Sequence, residues 1–202
     1  MKLYYSPGAC SLSPHIALRE AGLAFDLEKV DLRSKKTESG ADFTAVNPKG
    51  YVPALRLDDG AVLTENVALA QYVADQAPEA GLAPATGTME RYRLQEWLAF
   101  VSTELHKGFS PLFNPATPDA YKAIAKERLA SRFAYLDKHL AQHPYLMGQG
   151  FTVADGYCFT ILRWAANLEV DLSGYPNVTA YMDRVKARPK VREALRAEGL
   201  AT

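Results

Sequence analysis

The sequence YYSPGACSLSPHIALREAGL, residues 4–23, places a cysteine, Cys10, where a short apolar strand gives way to a helix. A helix N-terminus presents unpaired backbone N–H groups and about half a positive charge, so it favours an anionic thiolate. The thiolate is the reactive form of cysteine. The position three residues later is Ser13, so no nearby thiol can close an intramolecular disulfide. The stretch predicts a strand–turn–helix with a reactive sulfur at the turn; the alternative is that Cys10 is a small buried apolar residue.

The composition argues against several classes of protein. Of the 202 residues, 48% are hydrophobic, and 23 Lys and Arg residues balance 23 Asp and Glu residues. A balanced surface gives no electrostatic reason to expect nucleic acid or an anionic membrane as a partner. No apolar run approaches the roughly 18 residues needed to cross a bilayer, and the N-terminus lacks the apolar region of a secretory signal. Two cysteines far apart in the chain indicate a reducing compartment, so we expect a cytoplasmic protein.

Residues 1–77 alternate strand and helix signals, which predicts an α/β domain. Gly22 suits the left-handed position that ends the first helix, and Asp59-Gly60 is a strong hairpin turn. A β-α-β unit implies a parallel strand pair, to which the hairpin adds antiparallel strands. The predicted elements are a strand at 2–5, a helix capped by Ser11 or Ser13, a strand at 25–30, a short helix before Pro48, a hairpin within 53–65 and a helix within 65–78.

Residues 78–87 carry Pro, Gly and Ala without periodicity and are predicted to be a linker. The chain from 88 to 202 is predicted to be helical throughout, which makes the second domain all-α. Thr152 and Asp155 have the spacing of a capping box, and Cys158 is expected in the core because its helix is apolar on all sides. The helix within 119–143 shows an apolar stripe made of Ile124, Leu129, Phe133, Leu136 and Leu140.

A second group of residues can bind a peptide and its charged ends. Val52 precedes Pro53 and is biased towards an extended conformation, in which its backbone N–H and C=O can pair with a peptide. Thr64, Glu65 and Asn66 open the next helix, whose N–H groups can hold a carboxylate while Glu65 pairs with an ammonium. The alternative is that Asn66 only caps that helix.

Four segments together resemble the bacterial beta class of cytosolic glutathione S-transferases. They are KLYYSPGACSLSPHIALREAGL, NPKGYVPALRLDDGAVLTE, WLAFVSTELHKGF and GQGFTVADGYCFTILRW, and they span the chain in the order that this class shows. The resemblance implies an α/β N-terminal thioredoxin-like domain, residues 1–77, and an all-α C-terminal helical bundle, residues 88–202, assembled as a homodimer. It also implies that the peptide bond before Pro53 is cis.

The resemblance implies a site for glutathione and assigns residues to its parts. Cys10 would meet the glutathione sulfur and can form a mixed disulfide with it in this class. His106 would act with Cys10 on the thiol. The peptide would lie along Val52 and Pro53, with its γ-glutamyl end at Glu65 and Asn66. The remaining implied contacts are Lys35 after the second strand, Lys107 at the glycyl end, and Thr103 and Glu104 towards glutathione in the neighbouring subunit.

Several of these residues also have a structural interpretation. His106 and Lys107 could be a packed histidine and a solvated surface lysine. Phe109, Phe113 and Trp164 are candidates for the apolar pocket of the second substrate, although aromatic residues at helical spacing are often core. Two positions depart from the class: Asn66 stands where Ser is usual, and Ala99 stands where Asn is frequent.

The predicted function is a glutathione transferase that joins the glutathione thiol to small hydrophobic electrophiles, with thiol–disulfide exchange through Cys10. One alternative is a glutathione-dependent disulfide reductase or dehalogenase, and another is a ligand-binding protein of the same fold without catalysis. Glutathione would be a co-substrate, and no tightly bound cofactor is expected. No histidine cluster has metal-ligand spacing, so we expect no metal.

Overall fold

The computed structural model describes residues 1–201. They form two compact units: one contains residues 1–83 and the described residues from Arg188 onward, and the other is Pro84–Ala187. The boundary between Ala83 and Pro84 falls inside the predicted linker. The assignment of the whole segment 88–202 to the second unit is wrong, because the chain returns to the first unit at Arg188.

The first unit is built on a mixed sheet in the order β3-β2-β1-β4-β5. β1 pairs with β2 in parallel, whereas β4 pairs with β1 and β5 in the antiparallel sense. The predicted parallel pair and hairpin are therefore confirmed. The strands are β1 (Lys2–Tyr5), β2 (Asp26–Asp31), β3 (Lys36–Thr37), β4 (Ala54–Arg56) and β5 (Val62–Thr64).

Helices α1 (Leu12–Glu20) and α2 (Asn66–Gln76) belong to the same unit, and a 3-10 turn at Phe43–Ala45 replaces the short helix predicted before Pro48. Gly22 is left-handed with a φ of +67°, as predicted. Ser11 occupies the N-cap position of α1, but its side chain makes no capping hydrogen bond. Its hydroxyl instead donates to the Ser6 carbonyl oxygen at 3.2 Å and accepts from the Ser6 N–H at 3.1 Å. Ser11 therefore ties the loop before α1 to the end of β1.

Helix α9 (Pro189–Ala197) packs on α1, which explains why the chain end belongs to the first unit. Arg188 donates from Nε and from a terminal nitrogen to the two carboxylate oxygens of Glu20, each at 2.7 Å. Val191, Ala194 and Leu195 of α9 are fully buried. These contacts join residues far apart in sequence, so no local pattern could have predicted them.

The second unit is helical, as predicted. Its segments are α3 (Met89–Phe100), a π-helical stretch Val101–His106, α4 (Lys107–Phe113), α5 (Asp119–Leu140), α6 (Val153–Leu162), α7 (Trp164–Asn167) and α8 (Pro176–Lys186). The predicted stripe of α5 is buried except for Ile124, which is 44% exposed while the adjacent Ala125 faces the core. Every residue of α6 is buried, including Cys158. Along residues 1–201, no helix has both the length and the apolar character needed to span a bilayer.

The predicted capping box at the start of α6 is confirmed. The Asp155 carboxylate is fully buried and accepts from the Thr152 N–H and hydroxyl, at 2.8 and 2.9 Å, and from the Leu146 N–H at 2.8 Å. The Tyr181 hydroxyl lies 3.2 Å from the same carboxylate. Burial outweighs these hydrogen bonds and raises the pKa of Asp155 to about 6. One buried carboxylate thus joins the loop before α6 to α6 and α8.

Asp155→Asn should destabilise the protein by about 1–3 kcal/mol at pH 7, because the amide nitrogen would face donors that now meet an oxygen. The raised pKa adds stability that is fully present below the ordinary pKa of 3.8 and is lost as pH rises through about 6. The wild type should therefore gain stability relative to the variant between pH 7 and pH 5, measured by urea unfolding. Asp183→Asn, at an exposed position, serves as the control. A difference in free energy of unfolding between the wild type and Asp155→Asn that is smaller at pH 5 than at pH 7 would contradict the raised pKa.

Candidate functional site

The sheet brings the functional segments of the first unit to one end. β1 and β4 are antiparallel with Tyr4 opposite Ala54, so the loop that follows β1 meets the residues that precede β4. β5 is antiparallel to β4 with Thr64 opposite Ala54, so the start of α2 lies at this end as well. The strand ends therefore assemble residues from distant parts of the sequence.

Cys10 lies in the loop between β1 and α1 and is partly exposed. Its thiol donates to the carbonyl oxygen of Val52 at a sulfur–oxygen distance of 3.3 Å. The Val52–Pro53 peptide bond is cis, as predicted. The side chain is therefore neither enclosed in the core nor free, and it contacts the segment predicted to bind a peptide.

The sequence predicts that unpaired N–H groups at the start of α1 stabilise a Cys10 anion. The structure leaves fewer of these groups unpaired than predicted. The Leu12 N–H donates to the Ala9 carbonyl oxygen at 3.0 Å, and the Ser13 N–H donates to the Cys10 carbonyl oxygen at 3.2 Å. These first-turn N–H groups are therefore occupied by the loop itself. The hydrogen bond from the thiol to Val52 also requires the sulfur to keep its proton.

The segment around Val52 is contacted from two further directions. Lys35 has a left-handed φ of +57° and donates from Nζ to the Gly50 carbonyl oxygen at 2.7 Å. Tyr51 donates its hydroxyl to Glu65 Oε1 at 2.9 Å. Lys35, Cys10 and Glu65 therefore converge on residues 50–53.

Glu65 pairs with partners that the sequence did not reveal. Its carboxylate accepts from Lys49 Nζ as well as from Tyr51. These hydrogen bonds to Glu65 raise the pKa of both the Lys49 ammonium and the Tyr51 phenol. Lys49 and Tyr51 belong to the segment NPKGYVP, which carries part of the resemblance, but no local signal links them to Glu65. In the folded chain, the Glu65 carboxylate is therefore already paired with an ammonium group, that of Lys49.

Asn66 is the first residue of α2, while Glu65, with a φ of +74°, occupies the N-cap position. The interpretation of Asn66 as a simple helix cap is therefore wrong. The residue is 6% exposed, and within residues 1–201 its buried Oδ1 atom has no hydrogen-bond partner. An unpaired buried acceptor is unfavourable, so Oδ1 is suited to accept a hydrogen bond from a ligand.

The second unit gathers His106 and aromatic side chains. The His106 Nδ1 atom lies 2.7 Å from the Tyr157 hydroxyl, a partner that sequence reasoning missed. The His106 and Trp164 rings are 5.0 Å apart, and Phe113 lies 5.0 Å from Trp164 on an edge-to-face contact. Phe113 is 51% exposed, whereas Phe109 has no exposed surface. The pocket role predicted for Phe109 is therefore wrong: it is a core residue that packs behind Trp164.

A cavity of about 350 Å³ opens beside α4 and α5. The Glu104 carboxylate, on its rim, is held by Arg132 Nε at 2.7 Å. The Thr103 hydroxyl donates to the Ala99 carbonyl oxygen at 3.0 Å, while the Lys107 side chain is exposed. The cavity is lined by Thr103, Glu104, Lys107, Gly108, Pro111, Tyr121, Ala125, Arg128 and Arg132. The structure thus brings together three residues, 103, 104 and 107, that were predicted to contact glutathione.

The predicted site residues therefore form two groups. Cys10, Lys35, Val52, Pro53, Glu65 and Asn66 lie in the first unit, and the others lie in the second. Within residues 1–201, no cluster of three or more His, Cys, Asp and Glu side chains could hold a metal ion.

Comparisons with known proteins identify the family. Residues 8–76 match the N-terminal domain of glutathione S-transferases, and residues 100–189 match the C-terminal domain. The glutathione S-transferase GstA of Escherichia coli O157:H7 is 50% identical over 200 residues, which cover 99% of this chain and 100% of that protein.

Solved structures that resemble this chain belong to the same family. A ternary complex of BphK, a bacterial GST, is 58% identical with a TM-score of 0.98 and covers 99% of this chain and 100% of its own. The beta-class enzyme of Sphingomonas chungbukensis and a sphingomonad enzyme complexed with glutathione are each 53% identical, with a TM-score of 0.96 over 100% of both chains. The chain belongs to the glutathione S-transferase family. The predicted class, fold and enzyme type are thereby confirmed.

Proposed function

We propose that this protein conjugates the thiol of glutathione to small hydrophobic electrophiles. The observation that carries the proposal is the convergence of Cys10, Lys35 and Glu65 on residues 50–53. A tripeptide with a thiol at its centre and charges at its ends matches this arrangement. The sphingomonad relative, 53% identical, is described as complexed with glutathione, which supports the same ligand here.

The charges of the first unit suggest how glutathione would lie. Its γ-glutamyl ammonium would replace Lys49 Nζ at the Glu65 carboxylate. Its γ-glutamyl carboxylate would meet the N-terminus of α2, where anions are favoured, and the buried Asn66 Oδ1 would accept a ligand N–H. The cysteinyl backbone would pair with Val52, whose carbonyl oxygen can accept a second hydrogen bond beside the Cys10 thiol. Lys35 would stand near the glycyl end.

The chemistry would be a nucleophilic substitution. The glutathione thiol loses its proton to solvent, its sulfur forms a bond to the electrophilic carbon, and the leaving group departs with the electron pair. The His106 imidazole would donate to the sulfur anion. The Cys10 S–H would donate to it as well, after leaving the Val52 carbonyl oxygen. Tyr157 would donate to His106 Nδ1, which leaves the His106 proton on Nε2. Positioning and electrostatic stabilisation of sulfur would supply most of the rate gain.

The second unit would supply the remaining contacts. Phe113 and Trp164 would line the apolar pocket for the electrophile. Lys107 would bind the glycyl carboxylate. We further propose that the protein is a cytoplasmic homodimer in which Thr103 and Glu104 reach glutathione of the partner subunit, with Arg132 holding the Glu104 carboxylate in place.

Conjugation of a chlorinated nitrobenzene with glutathione should run well above the uncatalysed rate. Glu65→Gln should raise the KM for glutathione about tenfold or more, because a charge-assisted hydrogen bond contributes about 1.5–3 kcal/mol. Lys49→Gln is the matched control: it removes the ammonium that competes for Glu65, so the KM should not rise. No rate above background for the wild-type protein would reject the proposed activity.

A second candidate function is thiol–disulfide exchange, favoured by the partly exposed Cys10 thiol. The Cys10 thiolate would attack oxidised glutathione, forming a mixed disulfide and releasing one reduced glutathione. The other cysteine, Cys158, is fully buried, and burial raises the pKa of its thiol far above the ordinary value.

Cys10→Ala should separate the two chemistries. Conjugation should persist at a reduced rate because the nucleophile is the glutathione sulfur, while reduction of a small glutathione mixed disulfide should be lost. Both activities are measured on the same protein preparation. Full disulfide reduction by the variant would exclude Cys10 as the exchanging thiol.

A further inference from the structure

Three side chains that can bind a metal ion lie at the end of α5 and in the loop that follows it. His139 is in the last turn of α5, and His143 and Met147 follow at intervals of four residues. The two imidazole rings lie 4.6 Å apart, centre to centre. Both histidines and Met147 line one cavity of about 300 Å³, together with Trp97 of α3. Two imidazoles and a thioether therefore share one opening in the surface of the second unit.

His139 is held in the form that a metal ion can bind. Its Nε2 atom lies 3.0 Å from the Leu146 carbonyl oxygen, which only accepts hydrogen bonds, so the ring proton is on Nε2 and Nδ1 carries the lone pair. Burial lowers the pKa of His139, and the nearby His143 acts in the same direction, so the ring is neutral at pH 7. Metal-binding histidines commonly donate their second ring N–H to such a carbonyl, which fixes the orientation of the ring.

The backbone that holds His139 is itself fixed. Leu146 is buried, and its N–H donates to the buried Asp155 carboxylate at 2.8 Å. Tyr145 and Gly148 exchange two backbone hydrogen bonds of 3.0 Å each, so a tight turn carries Met147. The loop that supplies the thioether is therefore held in place by contacts within the chain, without a metal ion.

The rest of the cavity favours a positively charged ligand. Within residues 1–201, the His143 side chain makes no hydrogen bond that a ligand would have to break. Glu90 and Arg93 also line the cavity, and Arg93 is paired with Glu96 at 2.8 Å. These three charged groups sum to one negative charge, which attracts a cation.

We propose that His139, His143 and Met147 form a binding site for a Cu(I) ion. Imidazole nitrogen suits copper, and the soft thioether sulfur selects Cu(I) over harder ions. The site contains two histidines and a methionine, so it differs from the clusters of three or more His, Cys, Asp and Glu side chains that are absent from residues 1–201. The prediction of no metal rests on the histidines alone and overlooks the thioether that the fold adds to this pair. None of the three residues belongs to the proposed glutathione site.

Equilibrium dialysis against Cu(I), supplied anaerobically as its acetonitrile complex, tests the site. Every protein in the test carries Cys10→Ala, because a partly exposed thiol also binds Cu(I), whereas Cys158 is buried. We expect one copper ion per chain, with an affinity that falls about tenfold or more in His143→Asn and in Met147→Leu. Met89→Leu is the matched control, since Met89 is 65% exposed and does not line the cavity, and its affinity should stay within about twofold. A parent protein that retains no copper, or an unchanged affinity in both variants of the site, would overturn the proposal.

NMR locates the ion without these variants, and so provides a test if either of them does not fold. Cu(I) is diamagnetic, so one equivalent should shift the ring-proton signals of His139 and His143 and the methyl signal of Met147. The methyl signal of Met89 should not move. Shifts confined to His106, or to none of the three residues of the site, would contradict the proposal. Neither measurement involves glutathione, so failure of the copper site would leave the proposed conjugation unaffected.

Discussion

The hydrogen bond between the Cys10 thiol and the Val52 carbonyl joins the two segments on which the candidate site depends. Neither segment is regular: one is the loop that follows β1, and the other is the extended stretch that precedes β4. They meet because β1 and β4 are antiparallel neighbours in the sheet. The start of α2 reaches the same sheet end through β5. The sheet topology therefore specifies where a thiol, a peptide backbone and a carboxylate can act together.

Each unit relies on a buried carboxylate that collects donors from separate segments. Asp155 accepts from Leu146 and Thr152, and so closes the loop before α6 on the helix that follows. Glu198 accepts from Gly8 and lies against His15, and so closes the end of the chain on the first unit. Such groups are favourable only when every oxygen is paired, which makes their geometry strict. Asp155 joins segments of the helical unit, whereas Glu198 accepts a hydrogen bond from the loop that carries Cys10.

The sequence predicts the features that have local signals. The strand at residues 2–5, the left-handed Gly22 and the Thr152–Asp155 capping box each follow from a few adjacent residues, and the structure contains all of them. Contacts between distant residues escape such reasoning. No local pattern pairs Glu198 with Gly8, places Lys49 beside Glu65 or directs the Ser11 hydroxyl to Ser6. Ile124 fits the apolar period of α5 yet is exposed, because the neighbouring Ala125 occupies the core position.

In the function that we propose, Cys10 stands where the sulfur of bound glutathione arrives. Mass spectrometry of the protein after incubation with oxidised glutathione tests it most directly, with peptide mapping to locate the modification. We expect a mass gain of one glutathione, located on Cys10, reversed by a reducing agent and absent from the Cys10→Ala variant. An unchanged mass, or a modification located on Cys158, would contradict it.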